Sequence, residues 1–103
     1  MKDADAQGTP MGAHALEAVE ARVAAGDRTA FAELYDVLAP RVFDDLAAAV
    51  GPARAGTLTT ALLVDAWEQA ARIRSEAMSI TAWVLEQTRR LAVATGPIDL
   101  RGE

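Results

Sequence analysis

Few residues in this chain have both the type and the spacing that chemistry requires. His14 is the sole histidine and no cysteine accompanies it, so no imidazole or thiolate set for a metal can be assembled from this sequence. It reads as a solvated histidine near the start of a helix. Asp44 and Asp45 are adjacent, and neighbours on a helix point about 100° apart, so they do not form the facing carboxylate pair of acid–base catalysis. No glycine-rich phosphate loop, Walker sequence or nucleophile elbow occurs. The expectation is a protein that is not an enzyme and needs no metal or cofactor.

What remains is recognition. Arg72, Arg74, Arg89 and Arg90 are the candidates for a DNA-binding basic patch. The chain carries a net charge of −5, and affinity for nucleic acid rests largely on cations that displace counterions from phosphates. Any DNA contact must therefore be local, and weak or absent contact is expected. A competing reading has the same arginines closing helix C-termini and pairing with Glu68, Glu76 or Glu86. The second candidate surface is apolar and meant for a protein: Leu58, Ala61, Leu62 and Val64, with Asp65 beside them.

These residues have to be positioned by helices. Of the 103 residues, 51% are apolar, drawn mostly from alanine and leucine, which favour helix by intrinsic propensity. A domain of this size buries roughly two thirds of its unfolded surface, enough for one modest core. No apolar run approaches the ~20 residues of a membrane span. The N-terminus "MKDADAQGTPMGAHA" has acids where a signal peptide needs a basic start and an apolar run. A soluble, cytoplasmic protein without membrane contact is expected.

Residues 1–12 read as a flexible leader in which Thr9 and Pro10 could cap a first helix, 13–96 as one helical domain and 97–103 as a polar tail. The first helix is expected from Ala13 to Ala25, with Leu16, Val19 and Val23 on its apolar stripe, Glu17, Glu20 and Arg22 off it, and Gly26 as its stop. Asp27 caps the second helix, which repeats apolar residues from Phe31 to Val50; Pro40 should kink it or split it after Leu38. Gly51 and Pro52 end it. A third helix follows from a Thr57 cap to Ile73 or Arg74, and Ser79 caps a fourth, "ITAWVLEQTRRLAVA", stopped by Gly96 and Pro97. The fold class is all-α, a compact bundle of about four helices. Its expected core is Leu16, Val19, Val23, Phe31, Leu34, Leu38, Val42, Leu46, Leu63, Trp67, Ile73, Trp83, Val84 and Leu91.

At 100° per residue, Leu63, Trp67, Ala70 and Arg74 of the third helix share one direction, opposite Asp65, Glu68, Gln69 and Arg72. In its first half, Leu58, Ala61, Leu62 and Val64 fall on the side the later charges occupy, which leaves an apolar surface facing outward. Burial of each large side chain there is worth on the order of 1.5 to 3 kcal/mol. Either the first helix or the leader covers the patch, or a protein partner does.

The order "GDRTAFAELYDVLAPRVF", a Gly-Pro break, "LLVDAWEQAARI", a short loop and "SITAWVLEQTRRLAV" resembles region 2 of the extracytoplasmic-function sigma factors of bacterial RNA polymerase, over about residues 16 to 95. The resemblance implies a small helical bundle. It implies that the helix matching residues 56–73 docks on the polymerase clamp, and that the next loop and helix open the upstream promoter element. The match is degenerate. Where the family carries an acid, a glutamine and another acid for docking, this chain has Thr57, Thr60 and Ala61, and the base-capturing loop reads "RSEAMS". The sequence also ends before any region 4.

The resulting expectation is a sigma factor-like transcription regulator acting mainly through protein–protein contacts, with an anti-sigma factor-like regulator as partner. One alternative is a minimal sigma-type initiation subunit on core RNA polymerase and promoter DNA. Another is a helical homo-oligomerisation module with no transcriptional role.

Overall fold

The computed structural model describes residues 13–95. The expected leader with its Thr9–Pro10 cap, the tail, and the side chain of His14 lie outside the described residues. The chain forms α1 (Ala13–Ala24), α2 (Arg28–Val50), α3 (Pro52–Ser75) and α4 (Ile80–Thr95). Among the described residues there is no strand. The architecture is the all-α bundle that the periodicity predicts.

The first turn between helices is built by Gly26, which takes the left-handed φ of 92°. The Gly26 N–H donates to the Val23 carbonyl at 3.0 Å and the Asp27 N–H to the Arg22 carbonyl at 2.9 Å, a Schellman closure. Asp27 then starts α2, its carboxylate accepting from the Ala30 N–H at 3.1 Å. That hydrogen bond, followed by the one from Arg22, holds the Asp27 carboxyl below its ordinary pKa.

Helix α2 runs as one helix through Pro40, so of the two expected outcomes, a single helix or a split, the split does not occur. Its buried residues Ala30, Leu34, Leu38, Val42 and Leu46 recur every four residues on one face, while Pro40 is exposed. The missing N–H therefore falls on the outer side, where the Asp36 carbonyl it leaves without a partner can turn to water, and the inner ladder continues.

Helix α3 begins earlier than the sequence suggests. Gly51 stands at φ 91° and Pro52 occupies the first turn, where the absent N–H would have been free in any case. Gly56 and Thr57, expected at the start, are interior. The end is also unusual: Ala77 adopts a left-handed φ of 60°, with the Ala77 N–H on the Arg74 carbonyl at 2.9 Å and the Met78 N–H on the Ile73 carbonyl at 3.1 Å. Alanine does here what glycine does after α1.

The core joins the α2 stripe to Val19, Val23, Leu62, Leu63, Ile73, Ile80 and Val84, with Ala55, Ala66 and Ala70 filling the close approaches of α3. Leu16, Phe31, Trp67, Trp83 and Leu91, expected inside, are half-buried at its margin. Phe31 and Trp67 pack there with ring centroids 4.9 Å apart. Glu20, expected off the apolar stripe, is 1% exposed. It sits four residues from Leu16 and three from Val23, so a helix places it on that stripe.

Candidate interaction surfaces

The apolar face expected on α3 is largely covered within the monomer. Leu62 is only 6% exposed and belongs to the core, and Leu58 is half-buried against it. Asp65 is half-buried and accepts from Gln69 Nε2 at 2.7 Å. Ala61 and Val64 alone of the expected five are exposed, Val64 at 43%. The buried stripe of α3 runs through Ala55, Thr59, Leu62, Leu63, Ala66, Ala70 and Ile73. Its centre is turned about 60° from the direction shared by Leu63, Trp67, Ala70 and Arg74, with Leu63 and Ala70 belonging to both. Small residues decide that rotation, because Ala55, Ala66 and Ala70 let the backbone come close, whereas Trp67 is too large to be enclosed there.

A groove of about 500 Å³ lies beside this face, between α2 and α3. Tyr35, Ala39, Pro40 and Phe43 line it from α2, and Gly56 and Thr60 from α3. Asp36 and Asp44, also lining it, stand one turn before and one turn after Pro40. Neither makes an ion pair among the described residues. Thr59 lines the groove as well and is 5% exposed. Among the described residues, its hydroxyl is the one buried side-chain polar atom without a hydrogen-bond partner. Val64, at 43% exposure, lies one turn beyond Thr60 on α3; Val37, at 44% exposure, is not among the residues that line the groove.

The arginines are engaged. Arg72 Nη1 is 3.4 Å from Glu76 Oε1, and Arg72 also donates to the Gln69 side chain. Arg74 Nη2 is 2.9 Å from Glu17 Oε2 and its Nη1 is 3.5 Å from Glu20 Oε1. Arg89 and Arg90 share the Glu86 carboxylate at 2.7 and 3.0 Å. Hydrogen bonds from these two arginines hold the Glu86 carboxyl down at about 2, and the Arg89 guanidinium is raised in return. Glu68 makes no ion pair among the described residues. A cleft of about 530 Å³ separates Arg72 and Met78 from Trp83 and Arg90, with Glu76 and Glu86 on its walls. A phosphate there would have to displace carboxylates to reach the cations.

Three features go beyond what the residue pattern predicts: Glu20, the Thr59 hydroxyl and the groove. Glu20 had a signal, its spacing from Leu16 and Val23. The Thr59 hydroxyl and the groove had none, because both depend on how closely α2 and α3 approach. Among the described residues, no three His, Cys, Asp or Glu side chains converge to hold a metal ion, and no helix is long and apolar enough to cross a membrane. No protein-family model matches the chain, and neither the curated proteins nor the solved structures contain a significant match.

Proposed function

We propose that this protein is a sigma factor-like transcription regulator that works mainly through protein–protein contacts, with the α2–α3 groove as its contact face and an anti-sigma factor-like regulator as the partner class. The observation that carries the reading is the contrast between its two surfaces. Arg72, Arg74, Arg89 and Arg90 are each matched by a carboxylate, which leaves little unpaired positive charge in that patch for phosphates. The groove, in contrast, pairs an apolar floor with two carboxylates that have no ion pair among the described residues, and Val64, one turn beyond Thr60 on α3, is exposed. Apolar centres with charged rims are how protein interfaces are built. The resemblance of "GDRTAFAELYDVLAPRVF" to sigma region 2 supplies the transcriptional setting.

The test is binding by the purified protein to purified anti-sigma factors, to core RNA polymerase and to promoter DNA. Association with an anti-sigma factor that Asp36→Lys or Val64→Asp weakens at least tenfold supports the reading. Salt-sensitive promoter binding in the presence of core polymerase, lost in Arg89→Ala with Arg90→Ala, would replace it with the initiation-subunit reading. A concentration-dependent dimer abolished by Val64→Asp, with no other partner bound, would replace it with self-association.

A further inference from the structure

We propose that Glu20 is a latch through which α1 holds the first turn of α4, so that α1 and the 79–81 segment open as one unit and uncover Arg74. The proposal stands independently of which partner occupies the α2–α3 groove.

The free N–H groups at a helix start ordinarily find acceptors in the helix's own cap residue or in water. In α4 the cap residue serves one of them: Ser79 Oγ accepts from the Ala82 N–H at 3.1 Å. The other two are served by a different helix. The Ile80 N–H donates to Glu20 Oε1 at 2.6 Å and the Thr81 N–H to Glu20 Oε2 at 3.0 Å. Two hydroxyls add to the same oxygen, Thr81 Oγ1 at 2.7 Å and Ser79 Oγ at 3.0 Å. Arg74 Nη1 faces the carboxylate from α3 at 3.5 Å. A buried carboxylate survives only with such a set of donors, and here nearly every donor belongs to the start of α4.

The holder is the least independent helix of the four. Helix α1 has 12 residues, at the lower limit of what stands alone in water, about 12–15 residues. It is joined to α2 by the left-handed Gly26, and its deep contacts are Val19, Val23 and Glu20. When α1 lifts, the Ile80 N–H, in a residue with no exposed surface, loses its acceptor, so the first turn of α4 has reason to open in the same event. Both carboxylates that neutralise Arg74, Glu17 and Glu20, leave with α1. An event on α1 is thereby passed to the corner between α3 and α4, next to the cleft that holds Trp83 and Arg72.

Amide hydrogen exchange of the full chain by NMR, at increasing low denaturant, tests this. The Ile80 and Thr81 amides should share the opening equilibrium and denaturant dependence of Val23 and Ala24, and exchange faster than Leu46 and Ile73. Exchange of Ile80 and Thr81 only together with Leu46 and Ile73 overturns the proposal. In Glu20→Gln the side chain keeps its shape but presents N–H to donors at one of its two positions. Protection at Ile80 and Thr81 should then fall at least tenfold more than at Leu46 and Ile73; an equal fall everywhere means a merely structural residue. Arg74→Met, which leaves the carboxylate in place without its cation, should produce the same selective loss to a smaller extent, and no selective loss counts against the latch.

Discussion

Thr59 carries a buried hydroxyl without a partner beside the α2–α3 groove, while Thr88, equally buried, donates to the Val84 carbonyl at 2.8 Å. An unsatisfied buried hydroxyl costs about 1–3 kcal/mol. Thr59→Val, which keeps the shape and removes the oxygen, should therefore raise stability by about 1 kcal/mol in urea denaturation; a loss of stability would mean that the hydroxyl is in fact satisfied. Thr88→Val should behave oppositely. Glu86 gives the pH dependence. Its carboxyl lies at about 2 in the fold against an ordinary 4.5, through hydrogen bonds from Arg89 and Arg90. A depressed folded pKa means that the contribution is complete above 4.5 and disappears as the pH falls through about 2. The melting temperature of Glu86→Gln should accordingly fall less steeply than that of the parent between these two values. Because the pair is solvent-exposed, salt should shrink the difference.

At the scale of the element, two of the four helix starts are set by residues whose role is readable in advance: Asp27 and Ser79. Pro52, which with Gly51 signals the end of one helix, is the beginning of the next, since both roles use the same chemistry and only the chain direction after Gly51 separates them. Pro40 shows the limit of a local rule. Proline inside a helix costs about 3 kcal/mol relative to alanine, yet α2 is continuous because its buried stripe is long enough to override that cost. Pro40→Ala should restore an N–H for the Asp36 carbonyl and raise stability by about 1–3 kcal/mol in thermal or urea unfolding. It should also reshape the groove floor, so a more stable variant with weakened partner binding is the expected combination.

For the whole molecule, the decisive comparison is between Leu62 and Val64. Two residues apart on α3, they were expected on one outward apolar surface; Leu62 is core and Val64 is exposed. Leu62→Ala should lose about 2–5 kcal/mol, as large-to-small changes in packed cores do. Val64→Ala should change stability by no more than about 0.5 kcal/mol. Chemical denaturation of the two variants checks both values. A binding defect in Leu62→Asp would thus report unfolding, whereas the same defect in Val64→Asp reports the surface.

Taken alone, the sequence determined the helical class, the number of helices, the α2 stripe and the caps at Gly26, Asp27 and Ser79, because each follows from local propensity and from periodicity within a single helix. The tertiary structure decided which way α3 is turned, since that depends on how closely Ala55, Ala66 and Ala70 let it approach its neighbours. It also decided that Glu20 caps a helix some sixty positions away, and that the four arginines meet carboxylates, including two from α1. These are pairings between elements, and their energies depend on distances through space that spacing along a chain does not contain.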